Sequence, residues 1–260
     1  MSLHHLKIAS VNVHKQNAHM QAILQNTDAD ILLIQEPWFG TITTLQSDSD
    51  PNGIPQMGGP ANNMWDTHIL TLNSTSTCKA LMYTRHTLKP IVRNNTNHPA
   101  ASPNTVVLNV DDGKSISLCI INVYHAVPSQ GHDLHHITNL ELGDLESTLL
   151  IGNFNIHSPQ WSLPGKMLSS WASRFTDWMD DNSVECLNPL DQPTWTSSHT
   201  ELNPSIIDLV LANNAACFSG QIREVDVSFQ NSLGLDHAMI LIPPYRTKNC
   251  SPTPTHRLLC

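Results

Sequence analysis

Eight residues spread along almost the whole chain, Asn12, Glu36, Tyr124, Asn153, Asn155, Asp208, Asp236 and His237, each stand at or beside the end of a run that reads as a β-strand. Their types fit one chemistry. A hard divalent cation takes oxygen ligands such as carboxylates and amide carbonyls. An imidazole oriented by a buried acid can handle a proton or hold a phosphate, and amide and phenol donors stabilise developing negative charge. Together they are what metal-assisted phosphodiester cleavage requires. Each alone has a plainer reading: Glu36 as a solvated acid before Pro37, Tyr124 as a half-buried ring with its hydroxyl on water, and Gly152-Asn-Phe-Asn155 as a loop whose polar side chains cap a turn. Their order and repeated placement at strand exits favour the joint reading.

The elements that must position these residues follow from periodicity. Leu6 to Val13 is a β-rich run delivering Asn12, Gln16 to Gln25 carries Met20, Ile23 and Leu24 at helical spacing, and Ile31 to Ile34 is a short apolar strand ending at Glu36. That strand, helix, strand order predicts a layered α/β fold. Thr41 to Asp66, rich in Gly, Pro, Asn and Ser, reads as a long irregular loop. Ile69 to Leu72, Lys79 to Thr84, Thr105 to Val110 and Ser115 to Val123 read as strands, the last two joined by the hairpin signal Asp111-Asp112-Gly113-Lys114. Leu134 to Leu145 and Met167 to Met179 read as helices, the second with Trp171, Phe175 and Trp178 as core aromatics. The apolar run Ser147 to Leu150 puts Gly152 to Asn155 at a strand's carboxyl end, where α/β proteins bind ligands. If the segment is extended there, Asn153 and Asn155 face one way and Phe154 the other. Val184 to Leu187 is a further strand. Asp208 lies inside the apolar run Ser205 to Leu211, and burying a lone carboxylate is costly, so it requires a partner. Asp236 and His237 open the final strand, and Arg246 to Cys260 reads as a tail.

Composition bounds the alternatives. The 260 residues suffice for one large domain, expected over 1–243, with 244–260 as tail or linker. Forty per cent apolar and 13% charged residues is a globular balance, and the net charge of −9 excludes a uniformly basic nucleic-acid clamp while leaving room for a local basic groove. The six cysteines form no close pair, and the first four lie in or beside apolar runs, which fits reduced, buried thiols. No leader pattern or membrane-length apolar run is present, so an intracellular protein, nuclear or cytoplasmic and with no membrane partner, is expected.

Gln35-Glu36-Pro37-Trp38, the segment Gly152-Asn-Phe-Asn-Ile-His157 with Trp161, Thr194-Trp195 followed by Ser205-Ile-Ile-Asp208-Leu209, and the final Asp236-His237 resemble the endonuclease/exonuclease/phosphatase superfamily, and within it the endonuclease domain of non-LTR (LINE-type) retrotransposons. The resemblance spans roughly Leu6 to Ile242. It implies a four-layer α/β sandwich of two mixed β-sheets flanked by helices. It implies a DNA substrate, a Mg²⁺ cofactor that Mn²⁺ could replace, and a reverse transcriptase domain in a longer parent chain. Residue by residue, it implies that Glu36 and Asn12 bind the metal with Asp236 beside it, that His237 contacts the scissile phosphate with Asp208 orienting its ring, and that Tyr124 and Asn155 donate to the phosphate and transition state.

Asn153 departs from the pattern, standing where the family has the aspartate that orients or deprotonates the attacking water. An amide keeps the shape of a carboxylate but lacks its charge and basicity. Loss of one member of a cooperative catalytic set costs about 10³ to 10⁶ in rate, or roughly 4 to 8 kcal/mol of barrier. His14 is a second departure, since some relatives have an acidic residue nearby. The expectation is therefore a Mg²⁺-dependent DNA endonuclease domain attenuated by Asn153. Two rivals stand beside it: a catalytically dead nucleic-acid or protein-binding module on the same fold, and a phosphatase acting on small phosphorylated substrates.

Overall fold

The computed structural model describes residues 6–47, 50–70, 78–113, 117–126, 134–143, 146–197, 203–218 and 225–243. In chain order the strands are β1 (Ile8–Asn12), β2 (Ile31–Gln35), β3 (Gly40–Ser47), β4 (Asp50–Gly58), β5 (Trp65–His68), β6 (Ala80–Arg85), β7 (Val92–Asn94), β8 (Thr105–Asp111), β9 (Ser117–Tyr124), β10 (Ser147–Asn153), β11 (Val184–Cys186), β12 (Asp208–Asn213), β13 (Asp226–Ser228) and β14 (Met239–Ile242). The helices are α1 (Asn17–Asn26), α2 (His135–Thr138), α3 (Ala172–Asp181) and α4 (Asn214–Phe218).

Two six-stranded mixed sheets carry the fold, in the orders β13-β14-β1-β2-β6-β5 and β11-β12-β10-β9-β8-β7. The parallel neighbours are β1 with β2 and β9 with β10. Most strands are buried on both faces, so their period of two sorts side chains between layers. On β9, Leu118 and Ile120 face the space between the sheets, while Cys119, Ile121 and Val123 pack with Phe175 and Trp178 of α3. On β1, Ile8 faces the inter-sheet layer and Ala9 and Val11 pack with Met20, Ile23 and Leu24 of α1. Three apolar layers thus separate helix, sheet, sheet and helix, the four-layer sandwich expected. Among the described residues no helix is long and apolar enough to cross a membrane.

The inter-sheet layer turns polar toward the ends of β1, β2 and β9. Gln35 Nε2 donates to Ser10 Oγ at 3.0 Å and to Asn122 Oδ1 at 2.6 Å, and Asn122 Nδ2 donates to the carbonyls of Ile34 (3.0 Å) and Leu81 (2.8 Å). Asn122 belongs to the second sheet and its three partner residues to the first, so this buried group ties the sheets in register.

Several expected elements are placed differently. The stretch Thr41 to Asp66 is largely strand: β3 and β4 form a two-stranded antiparallel sheet of their own, with register shifts between Thr41 and Thr43 and between Leu45 and Ser47. In such a ribbon each strand has a free edge and tolerates the prolines at 51 and 55, which a central strand would not. The strand expected at Ile69 to Leu72 lies earlier, at Trp65–His68, and residues 71 and 72 are outside the described residues. The helix expected over Leu134 to Leu145 shortens to His135–Thr138, because partners at the end of α3 replace its next turn: Trp178 Nε1 donates to Leu140 O at 2.9 Å and Leu142 N to Asn182 Oδ1 at 2.7 Å. Helix α3 begins at Ala172 instead of Met167, because the preceding segment is fastened elsewhere, His157 N donating to Ser169 Oγ at 2.9 Å. Phe175 and Trp178 are core residues as expected, while Trp171 is half-buried at the helix start. Cys78, Cys119, Cys186 and Cys217 are free; burial pushes the first two thiols up to about 12 and Cys186 up to about 11, which makes them unreactive. The tail expected at 244–260, with Cys250 and Cys260, lies outside the described residues.

Candidate active site

Strand parity explains how distant residues meet. On β9, β10 and β12 the side chains facing the inter-sheet layer are Leu118 and Ile120, Leu149 and Ile151, and Val210 and Ala212. Two residues further along the same faces stand Tyr124, beyond Asn122, then Asn153, then Asp208. Register sets the last three side by side, since Asn153 pairs with Tyr124 on one flank and with Asp208 on the other. Asn12 ends β1 next to Gln35 in the opposite sheet, on the face that began with Ile8. The site is the polar rim of the inter-sheet core.

Glu36 follows Gln35 and would point to the opposite face if the strand continued. Its φ of +43° turns it instead, and Asn12 Nδ2 donates to Glu36 Oε1 at 3.2 Å. A non-glycine residue in the left-handed region costs about 1 kcal/mol or more, and such strain concentrates at functional sites. Tyr124 lies within the electrostatic reach of Glu36: burial first, and then the carboxylate's charge, push the phenol well above its ordinary value of 10.0. Lys79 Nζ lies 5.8 Å from the centre of the Tyr124 ring, bringing a cation to the rim.

Asp208 has the partner its burial demanded. His237 Nδ1 lies 2.9 Å from Asp208 Oδ2 and 3.1 Å from Oδ1, with both side chains nearly inaccessible. Burial alone would lower the imidazole, but the charges of Asp208, Asp236 and Glu36 outweigh it and hold His237 above its ordinary 6.5. Asp208 is the first residue of β12, not an interior one, and Asp236 and His237 precede β14. Residues 194–196 hold these two segments together. Trp195 bridges both Ser205 and His237, Thr194 Oγ1 accepts from the amides of Ile207 (3.0 Å) and Asp208 (2.9 Å), and Ala238 N donates to Thr194 O at 2.7 Å. Trp195 Nε1 donates to Asp236 Oδ2 at 3.3 Å.

Asn153 is buried, and its Oδ1 has no hydrogen-bond partner among the described residues. Gly152 before it has φ +143°, and a Cβ there would lie 2.0 Å from the Val123 carbonyl oxygen, so the bend that presents Asn153 requires glycine. The expectation that Asn153 and Asn155 project alike from an extended segment is corrected: Asn155 has φ +51°, and its Nδ2 donates to His125 O at 2.6 Å. Phe154 between them is fully buried against Phe175, as expected.

Contacts and register thus join Asn12, Glu36, Tyr124, Asn153, Asp208, Asp236 and His237 along one rim, while Asn155 is turned onto His125; Glu36, Asn155 and Asp236 are half-buried and the others buried. Thr194, Lys79 and His125 carry site contacts that sequence reasoning did not assign. Among the described residues no group of three His, Cys, Asp or Glu is gathered to hold a metal. The donors present are the carboxylates of Glu36 and Asp236 and the Asn12 carbonyl oxygen, which accepts from His14 N at 3.0 Å and keeps a second lone pair. That set fits Mg²⁺, which retains waters and is held by one or two carboxylates plus substrate phosphate, better than a metal needing a full protein cage.

The two-sheet sandwich is the fold expected, and residues 118–241 match the family described as endonuclease-reverse transcriptase. Among solved structures, the chain is similar to the endonuclease domain of TRAS1, a telomere-specific non-LTR retrotransposon, with TM-score 0.69 and 17% identity over 94% of this chain and 100% of that one. It is also similar to an endonuclease/exonuclease/phosphatase from Beutenbergia cavernae (TM-score 0.55, 14% identity, 91% and 70% covered) and to a family protein from Leptotrichia buccalis (0.54, 14%, 92% and 99%). No curated protein matches the chain.

Proposed function

We propose that this chain is a divalent-metal-dependent DNA endonuclease domain of retrotransposon type, hydrolysing a phosphodiester by in-line attack of water at a rate limited by Asn153. The observation that carries the reading is the His237–Asp208 pair, contributed by the segment before β14 and by the first residue of β12 and within the electrostatic reach of Glu36. Asp208 accepts from Nδ1 and fixes the ring, so that protonated His237 presents Nε2–H to a phosphate oxygen. Glu36, oriented by Asn12 and with Asp236 beside it, would hold Mg²⁺, which when bound neutralises charge on the phosphate. Tyr124 and Asn155 supply donors at the rim. Asn153 can accept a hydrogen bond from the attacking water but cannot take its proton, so it orients without activating. The family match further supports a parent chain in which a reverse transcriptase uses the nicked DNA.

The test is nicking of supercoiled plasmid with Mg²⁺ or Mn²⁺ by the wild type and by Asn153→Asp, with a soluble phosphomonoester as a parallel substrate. Weak nicking by the wild type and a gain of about 10³ or more in the variant is expected. Nicking confined to the variant transfers the natural role to a binding module. DNA left intact by both proteins overturns the proposal, and hydrolysis of the phosphomonoester alone selects the phosphatase reading.

A further inference from the structure

His125 stands one residue beyond Tyr124, fully buried, and is assigned nothing by the chemistry above. It makes three hydrogen bonds to the Asn153-Phe154-Asn155 turn: its backbone N donates to Asn153 O (2.8 Å), its ring Nδ1 bonds Phe154 O (2.7 Å), and its own carbonyl accepts from Asn155 Nδ2 (2.6 Å). A carbonyl oxygen can only accept, so Nδ1 carries the hydrogen, which fixes the ring's role as donor. On its other side the turn is held by Ile207 O, which accepts from Phe154 N at 2.9 Å and from Asn155 N at 3.3 Å. These bonds hold Asn155 at φ +51°, a conformation asparagine tolerates but does not keep unaided.

We propose that His125 is a positioning residue for the reaction, its Nδ1–H clamping the Phe154 carbonyl so that Asn153 faces the attacking water and Asn155 the phosphate. Without the clamp the turn relaxes, and the two amides lose their fixed separation from Tyr124 and Asp208. Small misplacement of such groups costs rate more than affinity. The inference rests on the endonuclease reading for its kinetic consequence and on the geometry alone for its structural one.

The test compares His125→Ala, His125→Asn and His125→Gln. Asparagine carries its Nδ2 at the same bond separation from Cβ as the histidine Nδ1, whereas glutamine places its donor one atom further out. In the Asn153→Asp background, kcat for plasmid nicking is expected to fall about tenfold or more in the alanine and glutamine variants with KM within about twofold, and to recover to within about threefold of the parent in the asparagine variant. In parallel, the side-chain amide resonances of Asn155, assigned by their loss in Asn155→Ala, are expected to move toward those of an unbonded amide in the alanine and glutamine variants and to hold their position in the asparagine variant. If the alanine variant does not fold, the asparagine and glutamine pair decides. Equal rescue by both, or unmoved Asn155 resonances in the alanine or glutamine variant, overturns the proposal. A protein silent on DNA in every background refutes the endonuclease reading, while the resonances still judge the clamp.

Discussion

The imidazole of His237 and the carboxylate of Asp208 meet at 2.9 Å across the seam between the two sheets, His237 delivered by the segment before β14 and Asp208 by the first residue of β12. The carboxylates around it hold the imidazole above its ordinary 6.5. A histidine raised on folding contributes stability that is fully present below the unfolded value and is lost as pH rises through the folded one. Asp208→Asn removes the nearest charge. The stability difference between wild type and variant is therefore expected to be largest near about pH 6 and to shrink as the pH rises through the folded value. Urea unfolding at several pH values measures it, and an NMR titration of His237 should show a lower value in the variant. Nicking in the Asn153→Asp background is expected to fall about 10² to 10³-fold.

Glu36 accepts from Asn12 Nδ2, and its charge is the second cause, after burial, of the raised Tyr124 phenol. Glu36→Gln keeps the shape and removes the charge. Two consequences are expected together: Tyr124 ionises at lower pH in a phenolate absorbance difference titration, and the Mg²⁺ concentration needed for half-maximal nicking rises about tenfold or more. An unchanged metal requirement with a shifted tyrosine would remove Glu36 from the metal site while leaving the electrostatics intact.

The convergence of the candidate residues was legible in sequence because strand ends are legible. A run such as Ile31 to Ile34 announces both its own burial and the polar residue that terminates it, and the lone acid Asp208 announced that a partner had to exist. What could not be read was geometry set by positive φ. Glu36 and Asn155 both depart from the extended path that a period of two assumes, and the second departure overturned the expected common facing of Asn153 and Asn155. Contacts made through the backbone were equally hidden. Thr194 acts on the site by accepting two amides and His125 by engaging a carbonyl, and neither leaves a spacing signature. The β3–β4 ribbon was missed for a related reason, since strands that pair only with each other can carry proline and glycine.

Gly152 offers a stability test of the motif's first residue. A Cβ would sit 2.0 Å from the Val123 carbonyl oxygen, inside the parallel β9–β10 pairing, at a φ of +143° that no L side chain adopts comfortably. Gly152→Ala is expected to destabilise the fold by about 3 kcal/mol or more, since both the clash and the backbone strain are imposed on a buried strand. Chemical denaturation measures the loss. A change below about 1 kcal/mol would mean that β10 can shift away from β9 without consequence.

The inter-sheet group of Ser10, Gln35 and Asn122 makes the last prediction, because it couples the register of the sandwich to the placement of Glu36, next to Gln35, and of Tyr124, two residues beyond Asn122. Asn122→Leu fills similar space but strips the Gln35 amide of its 2.6 Å acceptor and the Ile34 and Leu81 carbonyls of their donors. Leaving such groups buried without their partner costs about 1 to 3 kcal/mol each where no other bond compensates, so a loss of about 3 kcal/mol is expected. Replacing Gln35 as well, by methionine, removes one of the stranded groups, so the double variant should be less damaged than the sum of the singles. A double-mutant cycle by urea unfolding measures that coupling, expected at about 1 kcal/mol or more. Strictly additive losses would show that Asn122 and Gln35 are stabilised independently and that the two sheets are held in register by apolar packing alone.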